Sequence, residues 1–98
     1  MKITMEKNEN ALTVRLDGRL DTESAPQLEE ALTGVLSEAE TLTFDLADTE
    51  YVSSAGLRVL VKARKRMPYK GEMKVVNANE LVQEVFYVTG LAELLGAE

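Results

Sequence analysis

Two adjacent hydroxyls, Ser53 and Ser54, stand where a strand-to-helix loop turns into a helix N-terminus, in the run Tyr51-Val52-Ser53-Ser54-Ala55-Gly56-Leu57-Arg58. A helix N-terminus carries about half a positive charge and several N–H groups with no intrahelical partner. A serine there can cap the helix by accepting from a first-turn N–H. It can also carry a phosphate, whose charge of about −1.5 to −2 would sit beside those donors. Gly56 asks for a further explanation. Glycine in a first turn costs roughly 0.5–1 kcal/mol relative to alanine. Its missing side chain therefore points to close approach by a core strand backbone, a docking protein or a nucleotide.

Other chemistry has little to work with. The chain has no histidine and no cysteine, which removes the usual general base, the usual zinc ligands and every Ser-His or Cys-His nucleophile. No G-x-S-x-G, S-x-x-K, G-x-x-x-x-G-K-[ST] or G-x-G-x-x-G motif occurs. A metal site would rest on Asp45 and Asp48, with Asp21, since carboxylates at strand ends can hold magnesium. Aspartates are also ordinary turn formers, and that is the simpler reading. A phospho-aspartate receiver built on Asp45 lacks the acidic pair and the lysine it would need. No enzyme, cofactor or metal is expected.

The charge is segregated. The 98 residues carry a formal net charge of −6 and are 45% hydrophobic, which suits one small core and argues against nucleic acid as a partner. Residues 1–50 hold four basic and twelve acidic side chains, whereas residues 51–98 hold seven and five. Six of those seven bases, from Arg58 to Lys70, occur with no acid among them. Such a run is ordinarily a solvated helix face; the sharper reading is a contact patch for an acidic partner or a phosphate. The longest apolar run, Val85 to Val88, is far short of a membrane span. With no leader-like block at the start, the chain is expected to be cytoplasmic, without membrane insertion, and monomeric.

These residues need a frame to position them. Ile3 and Met5, then Leu12, Val14 and Leu16, alternate with polar residues as two strands around a Lys7-Asn8-Glu9-Asn10 turn. Gly18-Arg19-Leu20-Asp21 leads out of this hairpin. Ser24-Ala25-Pro26-Gln27 opens a helix whose apolar positions, Leu28, Ala31, Leu32, Val35, Leu36 and Ala39, keep helical spacing. Leu42, Phe44 and Leu46 mark a third strand, and Ala47 to Ser53 reads as a loop. A second helix runs from Ser54 to Met67 and buries Gly56, Val59, Leu60, Ala63 and Met67. Glu72 to Val76 is a fourth strand. Asn77 caps a third helix, with Glu80 three residues on. That helix buries Leu81, Val82, Val85 and Phe86 and stops at Gly90, and Leu91 to Leu95 adds a turn. The order is ββαβαβα: an α/β domain over residues 1–98, with a four-stranded mixed sheet and helices on one face.

With that order, Gly18-Arg19-Leu20-Asp21 before the first helix and Ser53-Ser54-Ala55-Gly56-Leu57 opening the second, the chain resembles the STAS domain family. The nearest form is the free-standing bacterial anti-sigma factor antagonist, and the resemblance spans the whole chain. It implies a partner-switching regulator of sigma-factor-dependent transcription. In that family the unphosphorylated antagonist binds an anti-sigma factor that is also a serine kinase. The kinase, with ATP and magnesium, phosphorylates one serine and so breaks the complex, and a PP2C-type phosphatase restores it. The family motif commonly reads Asp-Ser-x-Gly-Leu. Residue by residue this makes Ser54 the phosphoacceptor, and Asp21, Ser53, Ser54, Gly56, Leu57 and Arg58 partner-binding. One position departs, since Ser53 stands where the motif has aspartate. That leaves two hydroxyls as acceptors, and leaves open a second job for the same fold: a constitutive STAS subunit of a transporter ATPase or sensory scaffold, with no phosphoswitch.

Overall fold

The computed structural model describes residues 1–97. The chain runs β1 (Lys2–Asn8), β2 (Ala11–Leu20), α1 (Ala25–Leu32), β3 (Thr41–Asp45), β4 (Thr49–Val52), α2 (Ser54–Arg66), β5 (Glu72–Val76) and α3 (Glu80–Val88). β1 and β2 pair antiparallel around a two-residue turn in which Glu9 takes φ 57°. β3 lies parallel to β2, and β5 parallel to β3. Leu12, Val14, Leu16, Leu42, Phe44, Met73 and Val75 all point to the buried side, which the helices cover. Their neighbours Arg15, Glu72 and Lys74 face water, as strand alternation requires.

The sheet has five strands, not the expected four. Thr49–Val52, read from the sequence as part of a loop, pairs parallel with Gly18–Leu20 of β2, with a shift of register between Gly18 and Arg19. The polar stretch Asp48-Thr49-Glu50 hides this strand in the sequence. What holds it is the Thr49 hydroxyl, buried and donating to the Leu16 carbonyl at 2.7 Å, together with the fully buried Val52. The ten residues of β2 thus serve three neighbours. β3 follows the first half and β4 the last three residues.

Two further expectations change. The first helix ends at Leu32 rather than Ala39: Thr33 leaves helical geometry with ψ 125°, and Gly34 takes φ 82°. Leu36 and Ala39 are buried regardless. Val35, on the same expected stripe, is 39% exposed because the helix has ended before it; the burial of Leu36 and Ala39 does not require the helix. The cap of α3 is Asn79, not Asn77. The Asn79 Oδ1 accepts from the Val82 N–H at 2.8 Å, whereas Asn77 takes φ 62° and donates from its amide to Asp45 at 3.0 Å. With the cap moved, Val82 and Phe86 are the buried pair and Leu81 is 52% exposed. Gly90 ends α3 with φ 73°, and the Leu95 N–H reaches the Leu91 carbonyl at 3.0 Å, closing the extra turn. Among the described residues no helix is long and apolar enough to cross a membrane.

Candidate functional site

The parallel register of β2 and β4 builds the site. Leu20 and Val52 are cross-strand partners, so the chain leaves both strands at one sheet edge, into the Asp21 loop and the Ser53 loop. In open α/β sheets the crevice beyond the carboxyl ends of parallel strands is where ligands and partners ordinarily sit. The two loops are joined directly by the Ser53 N–H, which donates to the Leu20 carbonyl at 2.8 Å.

The two serines have different tasks. Ser53 is the N-cap of α2: its backbone is extended, and its hydroxyl accepts from the Gly56 N–H at 3.3 Å. Ser54, the first helical residue, is exposed, and its hydroxyl has no hydrogen-bond partner among the described residues. One hydroxyl is therefore spent on the fold and the other is presented to solvent.

Gly56 is explained by the core. A Cβ at this position would lie 2.6 Å from Leu20 Cγ and 2.7 Å from the Leu20 carbonyl oxygen, closer than packed atoms approach. Of the readings open for this glycine, the strand backbone beneath it is the one the structure holds. Gly56 and Leu57 are both buried, so they shape the loop from below, while Ser54 and Arg58 are exposed above them.

Asp21 organises the neighbouring loop. Its Oδ1 accepts from the backbone N–H groups of Glu23 and Ser24 at 3.0 and 3.1 Å. The Ser24 hydroxyl accepts from the Asp21 N–H at 2.9 Å and donates to the Arg19 carbonyl at 2.6 Å. The Ser24 N–H above all holds the Asp21 carboxyl below its ordinary pKa, since donors that bind the charged form favour it. Arg19 lies 3.9 Å from that carboxylate and stacks over Tyr51 of β4, 5.3 Å from the ring centre.

Asn79 is a site residue that sequence reasoning missed. Besides capping α3, its amide donates to the carbonyls of Thr49 and Glu50 at 3.2 and 3.1 Å. It thereby ties α3 to the strand that delivers the two serines. Its signal in the sequence is an asparagine just before the Glu80-Leu81-Val82 turn, masked by the competing Asn77.

Asp45 and Asp48 do not converge with Asp21. Asp45 accepts from the Asn77 amide, the Ala47 N–H at 3.1 Å and the Arg15 guanidinium at 3.4 Å. The Asn77 amide is the largest influence holding its carboxyl below the ordinary value. Among the described residues no three acidic side chains gather as a metal site would need. A hollow of about 220 Å³ lined by Met5, Leu12, Val35 and Ala39 lies at the other end of β2, beside the hairpin turn.

This arrangement can be set beside known proteins. The sequence profile of the STAS domain matches residues 2–97. The chain belongs to the STAS domain family. Among curated relatives, the anti-sigma-B factor antagonist of Bacillus subtilis is 31% identical over 96 residues, covering 97% of this chain and 88% of that protein. Among solved structures, an anti-sigma factor antagonist from Mycobacterium paratuberculosis superposes with a TM-score of 0.89 at 24% identity, over 98% of this STAS domain and 83% of that chain. SpoIIAA, described as an anti-sigma factor antagonist in its unphosphorylated form, superposes with a TM-score of 0.86 at 17% identity, over 99% and 88% of the two chains. At these identities the structural matches speak to the fold.

Proposed function

We propose that this STAS domain is an anti-sigma factor antagonist of the partner-switching kind. It binds a kinase-like anti-sigma factor in the cytoplasm through the Asp21 and Ser53–Arg58 loops, and phosphorylation of Ser54 releases it. The observation that carries this reading is the division of labour between the serines. Ser53 is engaged by Gly56 N–H, while Ser54, one residue on, is exposed and has no hydrogen-bond partner for its hydroxyl among the described residues. Aspartate and serine are both strong N-caps, so the departure of Ser53 from the family motif exchanges one cap for another and leaves the acceptor position intact.

The chemistry belongs to the partner. The Ser54 hydroxyl oxygen attacks the γ-phosphorus of ATP held by the kinase, ADP leaves, and the hydroxyl proton passes to the kinase's base. What this chain supplies is a rigid, protruding hydroxyl at the start of α2. The added charge of about −1.5 to −2 puts negative charge at Ser54, where the interface had none, and like-charge repulsion and desolvation expel the partner. A PP2C-type phosphatase resets the serine. The domain itself is a regulator, not an enzyme, and works as a monomer.

The test begins by recovering and identifying the protein that binds the tagged unphosphorylated chain. Ser54→Asp is expected to weaken that complex at least tenfold and Ser54→Ala to preserve it. Equal binding by the two variants, or a transporter subunit as the bound protein, would replace this reading with that of a constitutive STAS subunit.

A further inference from the structure

The apolar side of α2, Gly56, Leu60, Ala63 and Met67, is buried. At 100° per residue the opposite side aligns Ser54, Arg58, Val61 and Lys65 within about 60° of arc. Arg58 and Lys65 are exposed and have no carboxylate partner among the described residues. Lys62 and Arg66 border this row on the side of α1. There Glu29 alone answers them, its carboxylate 2.9 Å from the Lys62 ammonium. The face thus holds four cations against one anion, on a chain whose net charge is −6. Its head is the Ser54 hydroxyl.

Resting on the function proposed above, we infer that this outward face of α2 is a docking strip for an acidic surface of the protein partner, with Arg58 and Lys65 as its unpaired cations. The strip is one helix wide. Glu29 of α1 stands on its border and the chain beyond the strip is strongly acidic, so an extended polyanion such as duplex DNA or an anionic bilayer would meet those carboxylates as well as the cations. A bounded acidic patch on a folded partner would not. Charge complementarity of this sort acts mainly on association rate and partner choice. It also gives phosphorylation a second effect. A phosphate at Ser54 stands at i, i+4 from Arg58, where helix neighbours pair, and its charge offsets about half to two thirds of the surplus of three on the strip.

The experiment measures association and dissociation of the anti-sigma factor, identified as above, with wild type, Lys65→Glu, Lys65→Gln and Lys7→Glu, between 50 and 300 mM salt. Lys65 lies three turns from Ser54 and Lys7 on β1 beside the hairpin. Lys65→Glu is expected to weaken binding about tenfold, chiefly through slower association, with a flatter salt dependence. Lys65→Gln should fall between it and wild type, and Lys7→Glu should match wild type. Equal binding by Lys65→Glu and wild type overturns the strip, as does wild-type binding to phosphatidylglycerol vesicles or duplex DNA that Lys65→Glu abolishes. The two readings fail separately: loss in Ser54→Asp with wild-type behaviour in Lys65→Glu removes only the strip, and the reverse pattern removes only the switch.

Discussion

The Leu20 carbonyl accepts from Ser53 N–H at 2.8 Å, and the same residue fills the space that a side chain at position 56 would take. One residue of β2 thus fixes both the height of the α2 N-terminus and the identity of its third residue. The exposure of Ser54 follows from a backbone bond and a missing Cβ, neither of which involves Ser54 itself.

Gly56→Ala is expected to destabilise the domain. A Cβ 2.6 Å from Leu20 Cγ must displace Leu20 or lift the helix. Overpacking of this kind costs about 1–3 kcal/mol, more than the roughly 1 kcal/mol that alanine gains in helix propensity. Urea denaturation should show a lower midpoint, and a raised one would contradict the close approach.

The serines should separate in stability as they do in structure. Ser53→Ala removes the cap of α2 and should cost about 1 kcal/mol. Ser54→Ala removes no hydrogen bond and should stay within about 0.5 kcal/mol of wild type. Denaturant titration of both variants decides it; a larger cost at Ser54 would reverse the assignment.

Asn79→Ala removes a cap and leaves the Thr49 and Glu50 carbonyls without their amide donor. The expected cost is about 1–3 kcal/mol. Amide hydrogen exchange should quicken at Thr49–Val52 as well as at the start of α3. Faster exchange confined to α3 would mean that β4 does not depend on Asn79.

Asp45 should impose an acid limb on stability. Its folded carboxyl is held below the ordinary value by the Asn77 amide first, then by Ala47 N–H and Arg15. The stability it contributes is present above the unfolded carboxylate value of about 3.9 and is lost as pH falls through the lower folded value. Stability of Asp45→Asn, followed from pH 6 to pH 2, should fall less steeply below about pH 4 than that of wild type. An unchanged slope would mean that those donors do not favour the charged form.

Most of the fold was legible because its burial is periodic. The alternation in β2, β3 and β5 and the stripe Gly56-Val59-Leu60-Ala63-Met67 translate directly into buried faces. The failures share a physical cause, which is that tertiary contacts replace local signals. β4 is held by the Thr49 hydroxyl and by its pairing to Gly18–Leu20, and four residues opening on a threonine and a glutamate carry no such pattern. Past Leu32 the apolar spacing persists while the backbone turns at Thr33 and Gly34, so periodicity reported the burial of Leu36 and Ala39 correctly, but that of Val35, which is 39% exposed, and the helix itself wrongly. Asn77 and Asn79 are alike as local caps, and the carbonyls of Thr49 and Glu50 choose between them. At the site, the Ser-Ser pair at a helix start was visible in sequence. Which serine caps, and why Gly56 must be glycine, needed the position of Leu20.

The most direct measurement incubates the chain with the identified kinase-like anti-sigma factor, ATP and magnesium, then maps the phosphate by mass spectrometry. A single phosphate on Ser54, absent from Ser54→Ala and retained in Ser53→Ala, is the predicted result. Phosphate on Ser53 or elsewhere, or none at all, would contradict a switch at Ser54.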